Sequence, residues 1–446
     1  MEPEARGDIA FVFQHPLPAS DFKLEGGGAL QPDRVACAGE DSVFVGSGTG
    51  LYHVQFELPD KKSGAAAIPD HEDARVSKPM TIPSGAPKEL HCITTCALRS
   101  QEKGKLRVAC TDSSGGCSIS LFDSSVGGQE PSRNAKRRRL EDVDKGEGER
   151  KQVVSRHTGE RDKCKSLTFA STWNLKLQLD GLKESGYHGI ALNPSDDKQS
   201  CVVSHWQQAL TVFDGDKQVS KFGCLFLPTQ VQFVPERSAD SSKHGGGGNI
   251  VVLTESNYVS VYDIRTSKGC QKRLAVGNGD SLGLALVGDN MIASGGTDRT
   301  LFYFDMRKWS TLARLQNITK YEIIGLRPSF LHRNAVYVAS LDHEILLATC
   351  GLGKGKERVG SHLTRQGLRG DSRWIGIDTT PTAASSGEGH GVGGENFIGV
   401  TDTGRFYCIE NSQRMLRTES QHQAVAKGSN DNECHKIDRA GELACR

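Results

Sequence analysis

The chain has 446 residues, of which 36% are hydrophobic, and a formal net charge of +1 at pH 7. A charge this close to zero excludes a global field that would attract nucleic acid or a membrane surface, and the sequence has no apolar run of about 20 residues that could span a bilayer. The 51 glycines and the modest hydrophobicity indicate a folded core diluted by loops and tails. The 13 cysteines are odd in number and irregularly spaced, which predicts free thiols in a reducing compartment.

The first part of the chain predicts short β-strands joined by tight turns. Residues 8–14 (DIAFVFQ) form an apolar segment that is typical of a strand. Residues 34–57, with VFVGSGTGLYHVQF, and residues 90–123, with LRVACTDSSGGCSISLFD, each place a glycine-containing turn between two β-branched or aromatic runs. Because glycine tolerates positive φ, each segment predicts two antiparallel strands. The polar, proline-containing residues 60–88 predict a long loop.

A sharp change in composition follows the second of these units. Residues 124–162 contain almost no large apolar side chains, so burial cannot offset the chain entropy and we expect disorder. The segment carries a compact basic cluster at Lys136, Arg137, Arg138 and Arg139. Such clusters suit the acidic grooves of nuclear import carriers, which predicts location in the nucleus, with the cytoplasm as a second compartment. The alternative is a solvated charge run or a weak nucleic-acid contact, although interspersed acidic residues dilute the attraction to phosphate.

Five further units of the same kind follow. Residues 166–214 contain the third unit, in which residues 166–179 form either an extra strand pair or the outer strand of the preceding unit. The remaining units are predicted at residues 228–265, 282–307, 322–349 and 373–410. Three polar or glycine-rich segments predict a loop at 351–372, a loop at 382–396 and a disordered tail at 411–446.

The fifth unit, MIASGGTDRTLFYFDMR, carries the clearest motif. Ser294 and Asp298 flank a glycine-containing turn, and the following strand ends in Phe304 and Asp305. This segment resembles the second half of a WD repeat, in which a Ser–Gly–x–x–Asp turn is followed by a strand that ends in Trp-Asp. Phenylalanine has no N–H to donate, so the hydrogen-bond network that the tryptophan of a WD repeat joins is expected to be incomplete here.

The spacing of the units supports the same resemblance. Asp214, Asp263 and Asp305 end three successive units at intervals of about 40–50 residues, the period of a four-stranded propeller blade. The resemblance implies an all-β fold: one closed β-propeller of about seven four-stranded blades over residues 8–410, with the N-terminal strand completing the last blade. It also implies a rigid platform whose partners are proteins or peptides of a multi-subunit complex.

Four side chains at strand ends and turns are candidates for docking a partner. In YDIR and FDMR, Arg265 and Arg307 resemble the Trp-Asp-x-Arg repeat ends of substrate receptors of cullin-type ubiquitin ligases, where the arginine helps to dock the propeller onto an adaptor. The alternative is a solvated strand end, because the match is short and both tryptophans are replaced. Trp206 and Trp309 fall in turns, where each could anchor a partner peptide or pack against a neighbouring blade.

The sequence lacks the common catalytic, cofactor and metal-binding motifs, so we expect no catalytic residue, cofactor or metal site. The expected function is that of a non-catalytic scaffold for protein–protein interactions in a nuclear complex, without a membrane or direct nucleic-acid ligand. The alternative is a substrate receptor of a cullin-type ubiquitin ligase. A third class, a propeller enzyme, would require acids, bases or metal ligands that converge on the central channel.

Overall fold

Seven antiparallel β-sheets make up the part of the chain that the computed structural model describes. The described residues are 12–16, 32–56, 74–76, 80–81, 89–98, 105–112, 114–123, 168–175, 177, 187–235, 248–350, 367–383 and 392–412. Within them the regular elements are strands, and no helix has the length and hydrophobicity needed to cross a bilayer. The expected all-β fold with seven blades is therefore confirmed.

The sheets are numbered as blades 1 to 7 in chain order, and the first strand, β1 (Val12–Pro16), precedes them. Blades 1 and 2 comprise β2 (Val35–Cys37), β3 (Ser42–Ser47), β4 (Gly50–Phe56), β5 (Ala74–Val76) and β6 (Met80–Thr81), then β7 (Leu90–Ala97), β8 (Lys105–Asp112), β9 (Cys117–Asp123) and β10 (Thr168–Leu175). Blades 3 and 4 comprise β11 (His188–Leu192), β12 (Gln199–Ser204), β13 (Ala209–Asp214) and β14 (Lys217–Gly223), then β15 (Pro228–Phe233), β16 (Ile250–Glu255), β17 (Tyr258–Asp263) and β18 (Cys270–Ala275). Blades 5 and 6 comprise β19 (Ser281–Val287), β20 (Met291–Gly296), β21 (Leu301–Asp305) and β22 (Ser310–Leu315), then β23 (Ile323–Pro328), β24 (Ala335–Ser340), β25 (Glu344–Thr349) and β26 (Gly367–Arg369). Blade 7 comprises β27 (Trp374–Ala383), β28 (Val392–Thr401) and β29 (Arg405–Ser412), together with β1.

The blades form a closed ring around a central channel. The first strand of each blade contacts the first strand of the next, and β27 of blade 7 contacts β2 of blade 1. The N-terminal β1 pairs antiparallel with β29, with Val12 opposite Ile409 and Pro16 opposite Arg405. The N-terminal strand therefore completes the last blade, as expected, and its described part is Val12–Pro16. Pairing of the first and last described strands in one sheet ties blade 7 to blade 1 and covers the edge of β29.

The core lies between neighbouring blades rather than inside any one of them. Between blades 4 and 5, for example, Val252 and Val261 pack against Ile292 and Phe304, and all four are buried. The second and third strands of each blade are β-branched and aromatic because both of their surfaces face another sheet. Each blade can therefore bury its apolar surface only against its neighbours, as in other repeat folds.

The direction of the strands divides the turns between two faces. Neighbouring strands in a blade are antiparallel, so their connections alternate between the two ends of the sheet. We call the end with the turns between second and third strands, and with the connections to the next blade, the upper face. The end with the first-to-second and third-to-fourth turns is the lower face. With the two faces defined in this way, each candidate docking residue can be placed on one of them.

Some boundaries differ from the sequence predictions. β10 is the outer strand of blade 2, so the second alternative for residues 166–179 is the right one, and blade 3 begins at β11. β26 lies within residues 351–372, and β27 and β28 extend into residues 382–396, where loops were expected. The outer strands β14, β18 and β22 were not recognised, because most of their side chains are exposed and polar and show no apolar alternation.

Candidate functional site

The four predicted docking residues lie on two different faces. Trp206 lies in the upper-face turn between β12 and β13. Arg265, Arg307 and Trp309 lie in the lower-face turns that follow β17 and β21. Strands of 6 residues, such as β17, span about 20 Å. The residues therefore contribute to two separate candidate surfaces.

The upper face of blades 3 and 4 carries a group of apolar side chains that we call the apolar patch: Trp206, Leu225, Phe226, Leu227 and Tyr258. The three consecutive residues Leu225, Phe226 and Leu227 form the connection from β14 to β15, and Tyr258 begins β17. Trp206 is 51% exposed, and Leu225 is 57% exposed. Four of the eight large hydrophobic side chains that are exposed among the described residues belong to this patch. Such a concentration of exposed apolar surface is typical of an interaction site.

Hydrogen bonds hold the segments of the apolar patch together. The Cys224 N–H donates to the carbonyl of Gln208 at 2.6 Å, and the Ser256 N–H donates to the carbonyl of Leu227 at 3.0 Å. The Phe226 ring stacks on the tyrosine that begins β17, with centroids 5.4 Å apart and planes inclined by 8°. The patch is therefore formed before a partner arrives, which lowers the entropy cost of binding.

On the lower face, Arg265 and Arg307 have the same geometry on neighbouring blades. Arg265 donates from Nε to Oδ1 of Asp263 at 2.9 Å and from Nη2 to Oδ2 at 2.8 Å. Arg307 makes the same two bonds to Asp305 at 3.1 and 3.0 Å. We call each pair an Asp–Arg fork. Asp214 ends the corresponding strand of blade 3 but is followed by glycine and aspartate, so it has no such arginine two residues later.

The forks combine fixed geometry with exposure. The Arg265 and Arg307 side chains remain 49% and 63% exposed. The hydrogen bonds from the arginines hold the pKa of Asp263 and of Asp305 below its ordinary value. Each fork therefore presents a charged guanidinium in a defined orientation, which suits paired hydrogen bonds to a partner.

Trp309 belongs to the same turn as Arg307 but has a mainly structural environment. Its side chain is partly buried and packs against the hydrophobic cluster between blades 4 and 5. Its backbone N–H donates to the Asp305 carbonyl at 2.6 Å, and its φ of 51° closes the turn. The two tryptophans therefore differ: Trp206 offers its ring to solvent, whereas Trp309 supports the turn that carries a fork.

The residues of the WD-like motif have local structural partners. The Ser294 hydroxyl is hydrogen-bonded to the Ser281 hydroxyl at 2.5 Å. Asp298 accepts a hydrogen bond from the backbone N–H of Thr300 at 3.0 Å, which fixes the turn between β20 and β21. Phe304 is fully buried in the hydrophobic cluster between blades 4 and 5. The motif thus shapes blade 5 and leaves the exposed turns for other contacts.

The inner strands bring together a polar set that we call the channel network: Asp33, Tyr187, Gln230, Arg327 and Asp378. Oδ2 of Asp33 accepts hydrogen bonds from the Tyr187 hydroxyl at 2.6 Å and from the Gln230 side-chain amide. Oδ1 of Asp33 accepts a hydrogen bond from Nη2 of Arg327 at 2.9 Å, and Nε of Arg327 lies 3.5 Å from Oδ1 of Asp378. These residues lie in or beside the inner strands of blades 1, 3, 4, 6 and 7, so the network crosses the channel.

The polar groups of the channel network are hydrogen-bonded or ion-paired to one another. Asp33 is only 2% exposed, and a ligand could reach its carboxylate only by displacing three hydrogen-bond donors. Burial, together with the charge of Asp33, raises the pKa of Tyr187 well above its ordinary value. Burial also raises the pKa of Asp378. This arrangement ties blades on opposite sides of the ring together.

Sequence reasoning missed the channel network because its members are far apart in the chain. Tyr187 and Arg327 are 154 and 294 residues away from Asp33. The available signal was a single polar side chain in or beside an otherwise apolar inner strand, as in the segment of Arg327, IIGLRP. Such a position shows that the residue faces something polar, but not which residue that is.

Other predicted features concern metals, thiols and the basic cluster. Among the described residues, no group of three or more His, Cys, Asp or Glu side chains is arranged to hold a metal ion. The ten cysteines in that part of the chain are free thiols. Two predicted segments lie outside the described residues. They are the segment 124–162, with Lys136, Arg137, Arg138 and Arg139, and the tail from residue 413 onward.

Comparison with models of known protein families and with curated protein sequences finds no match for this chain.

Proposed function

We propose that the protein is a non-catalytic scaffold that binds other proteins in a nuclear complex. β-Propellers commonly serve as interaction scaffolds, because a rigid ring displays many turns on two faces. The observation that carries the proposal is the apolar patch on the upper face of blades 3 and 4, with the 51% exposed Trp206. Large aromatic side chains on a pre-formed surface are the residues that contribute most to protein–protein affinity.

The non-catalytic part of the proposal is supported by the state of the channel network. An acid or base that acts on a substrate needs room for that substrate at its reactive atom. Asp33 accepts three hydrogen bonds from protein side chains and is almost completely buried. In this proposal the channel network stabilises the ring, the faces bind partners, and the scaffold has no need of a cofactor.

Comparative affinity purification from nuclear extract tests the proposal. The tagged wild-type chain is compared with a Trp206→Ser, Phe226→Ser double variant and with Phe330→Ser. The last is a matched control, because Phe330 is 41% exposed in a lower-face turn of blade 6, whereas Phe226 is 36% exposed. We expect at least one protein to be retained by the wild type and the control but lost from the double variant, and to bind the purified wild type directly. Equal recovery of every protein would overturn the role of the apolar patch.

A second candidate is a substrate receptor of a cullin-type ubiquitin ligase. The observation that favours it is the pair of Asp–Arg forks on one face of neighbouring blades, each with an exposed guanidinium. The test compares Arg265→Glu, Arg307→Glu with Arg333→Glu, whose exposed arginine lies in a lower-face turn without a fork. We expect a cullin adaptor to be recovered with the wild type and the control but not with the double variant. Equal recovery, or none, would exclude this candidate.

The nuclear location in the proposal is supported by the sequence of the basic cluster. A tagged chain in which Lys136, Arg137, Arg138 and Arg139 are all replaced by alanine should lose nuclear accumulation. The matched control replaces Lys145, Arg150 and Lys151, which lie in the same segment but not in a compact run. Unchanged accumulation of the four-residue variant would remove the basic cluster as the import signal.

A further inference from the structure

The outer rim beside the apolar patch is cationic. The outer strands of blades 3, 4 and 5 (β14, β18 and β22) contain five basic residues and no acidic one. The basic residues are Lys217, Lys221, Lys272, Arg273 and Arg314. All five are exposed. Because the formal charge of the whole chain is only +1, this is a local excess of positive charge.

Two of these cations lie on the outer strands that lead to the apolar patch. Lys221 is two residues before the end of β14, where the connection that carries Leu225 begins. Lys272 lies on β18 opposite Val261, three residues before Ala275, which pairs with Tyr258 of the patch. The neighbouring Arg273 of β18 has an acidic partner within its own blade, because its Nε lies 3.3 Å from Oε2 of the buried Glu255.

One acidic side chain lies beside the patch: the exposed Asp280, in the connection from blade 4 to blade 5, accepts a hydrogen bond from the Ser256 hydroxyl at 2.5 Å. Residues 205–208, 224–227 and 256–257 include no acidic side chain. On the same face, the turns and connections of blades 5 to 7 do contain acidic residues, such as Asp298, Asp342 and Asp402. The segments that form the patch therefore combine exposed apolar groups with a basic edge, and Asp280 is an acidic group at their boundary with blade 5.

We propose that the apolar patch binds a linear acidic segment of a partner protein. Aromatic or aliphatic side chains of that segment lie on Trp206 and Leu225, and its Asp or Glu side chains lie along Lys221 and Lys272. This inference rests on the proposed scaffold function and specifies the chemistry of the partner. Apolar contacts supply most of the affinity, and the rim charges increase the association rate and select against basic segments.

The geometry favours a protein segment over single-stranded nucleic acid. Bases bind by stacking on accessible aromatic rings. In the patch one face of the Phe226 ring is already covered by Tyr258, and Leu225 and Leu227 offer aliphatic surface instead. Aliphatic and partly covered aromatic groups suit amino-acid side chains better than a row of bases.

Selection of displayed random dodecapeptides on the full-length protein tests the inference. The wild type and the Trp206→Ser, Phe226→Ser variant are used in parallel, and peptides that need the patch are identified by their loss from the variant. We expect these peptides to combine large apolar residues with a clear excess of Asp and Glu. Synthetic copies of them are then titrated against purified protein.

Charge reversal of the rim gives the quantitative arm of the test. For such a peptide, Lys221→Glu, Lys272→Glu should weaken binding about tenfold at roughly 0.05 M salt and about twofold at roughly 0.5 M salt, because exposed charges are screened. The matched control, Lys268→Glu, Lys308→Glu, reverses two exposed lysines in lower-face turns and should leave the affinity unchanged. Retained folding of each variant is checked by its thermal midpoint.

The other outcomes separate two kinds of failure. Peptides that need the patch but show no excess of acidic residues would overturn this inference and leave the scaffold function standing. If no peptide depended on the patch, both this inference and the docking role of the patch would be overturned. Displacement of the peptides by a single-stranded oligonucleotide of mixed sequence, lost in the patch variant, would favour a nucleic-acid ligand and overturn the inference.

Discussion

The upper and lower faces of blades 3 to 5 are built on the same strands but expose different chemistry. The upper face presents the apolar patch, in turns without acidic residues. The lower face presents the two Asp–Arg forks, in which each charge already has a partner two residues away. The contrast arises from turn sequence alone, because both faces are formed by the ends of the same antiparallel strands.

The difference suggests two ways of binding on one ring. An exposed apolar surface gains affinity when water is removed from it, and it discriminates weakly between partners. A fixed guanidinium adds little affinity at an exposed site but imposes geometry and charge on its partner. The ring between the faces is held by the channel network, so a partner on one face need not disturb the other. The predictions below test this independence.

The largest effect, a loss of stability, is expected in the channel network, which supports both faces of the ring. Asp33→Asn removes the charge that faces Arg327 in the channel and should lower the free energy of unfolding by about 3 kcal/mol, since a buried cation loses one of its two carboxylate partners. The measurement is denaturant-induced unfolding followed by tryptophan fluorescence.

The control for the channel prediction is Asp216→Asn, an exposed residue in a lower-face turn of blade 3, with an expected change within about 0.5 kcal/mol. Binding on both faces should weaken together in Asp33→Asn at temperatures where the variant unfolds. If Asp33→Asn lost binding on one face while it remained fully folded, the channel network would not act as a common support of both faces.

The next largest effects are expected from the two tryptophans. One substitution should weaken binding, and the other should lower stability. Trp206→Ala should weaken an upper-face partner about 30-fold, or about 2 kcal/mol, and change stability by less than about 0.5 kcal/mol. Trp309→Ala should cost about 2 kcal/mol of stability, because its ring packs against the core, and leave the upper-face affinity unchanged. Calorimetric titration and thermal unfolding of both variants measure the two quantities. If both tryptophans affected stability equally, the assignment of one to binding and one to packing would be wrong.

The fold could be predicted from local pattern to the extent that the strands were buried. The second and third strands of the blades alternate β-branched and aromatic residues around glycine-containing turns, as in MIASGGTDRTLFYFD, and they were recognised. The outer strand of blade 4, CQKRLA, has mostly exposed side chains and was missed. The N-terminal strand was recognised as the closing strand only through the resemblance to a WD repeat, since no local pattern says which distant strand it pairs with.

The candidate surfaces were predictable to different degrees for the same reason. Each Asp–Arg fork joins residues two positions apart, so the sequence contained both partners. The apolar patch combines turns of two blades with the connection between them, and its members Leu225, Phe226 and Leu227 were not singled out. The channel network joins five segments across the ring, and only the three-dimensional structure brings them together.

A smaller effect on the affinity of a lower-face partner should show whether the forks act through the geometry of the guanidinium or only through its charge. Arg307→Lys keeps the positive charge but cannot make the paired Nε and Nη2 bonds to Asp305. We expect a lower-face partner that docks on the fork to bind about fivefold more weakly, with only a small loss of stability. Arg299→Lys, at an exposed arginine of an upper-face turn, is the control. Equal affinity of wild type and Arg307→Lys would mean that the lower face supplies charge without defined geometry.

The smallest effect concerns the acid titration of the forks themselves. Because the hydrogen bonds from Arg307 lower the pKa of Asp305 below its ordinary value of 3.8, this carboxyl should stay ionised when the exposed carboxyls of the protein have begun to protonate. The contribution of the fork to stability is then complete above pH 3.8 and is lost as the pH falls through the lowered pKa of the folded state. Carboxyl carbon chemical shifts of Asp305, followed by NMR from neutral pH downward, measure this directly. In Arg307→Gln the pKa of Asp305 should move back up towards 3.8. A wild-type Asp305 that titrated like its Arg307→Gln counterpart would mean that the fork does not persist in solution, and the lower face would then differ from the upper face in charge but not in order.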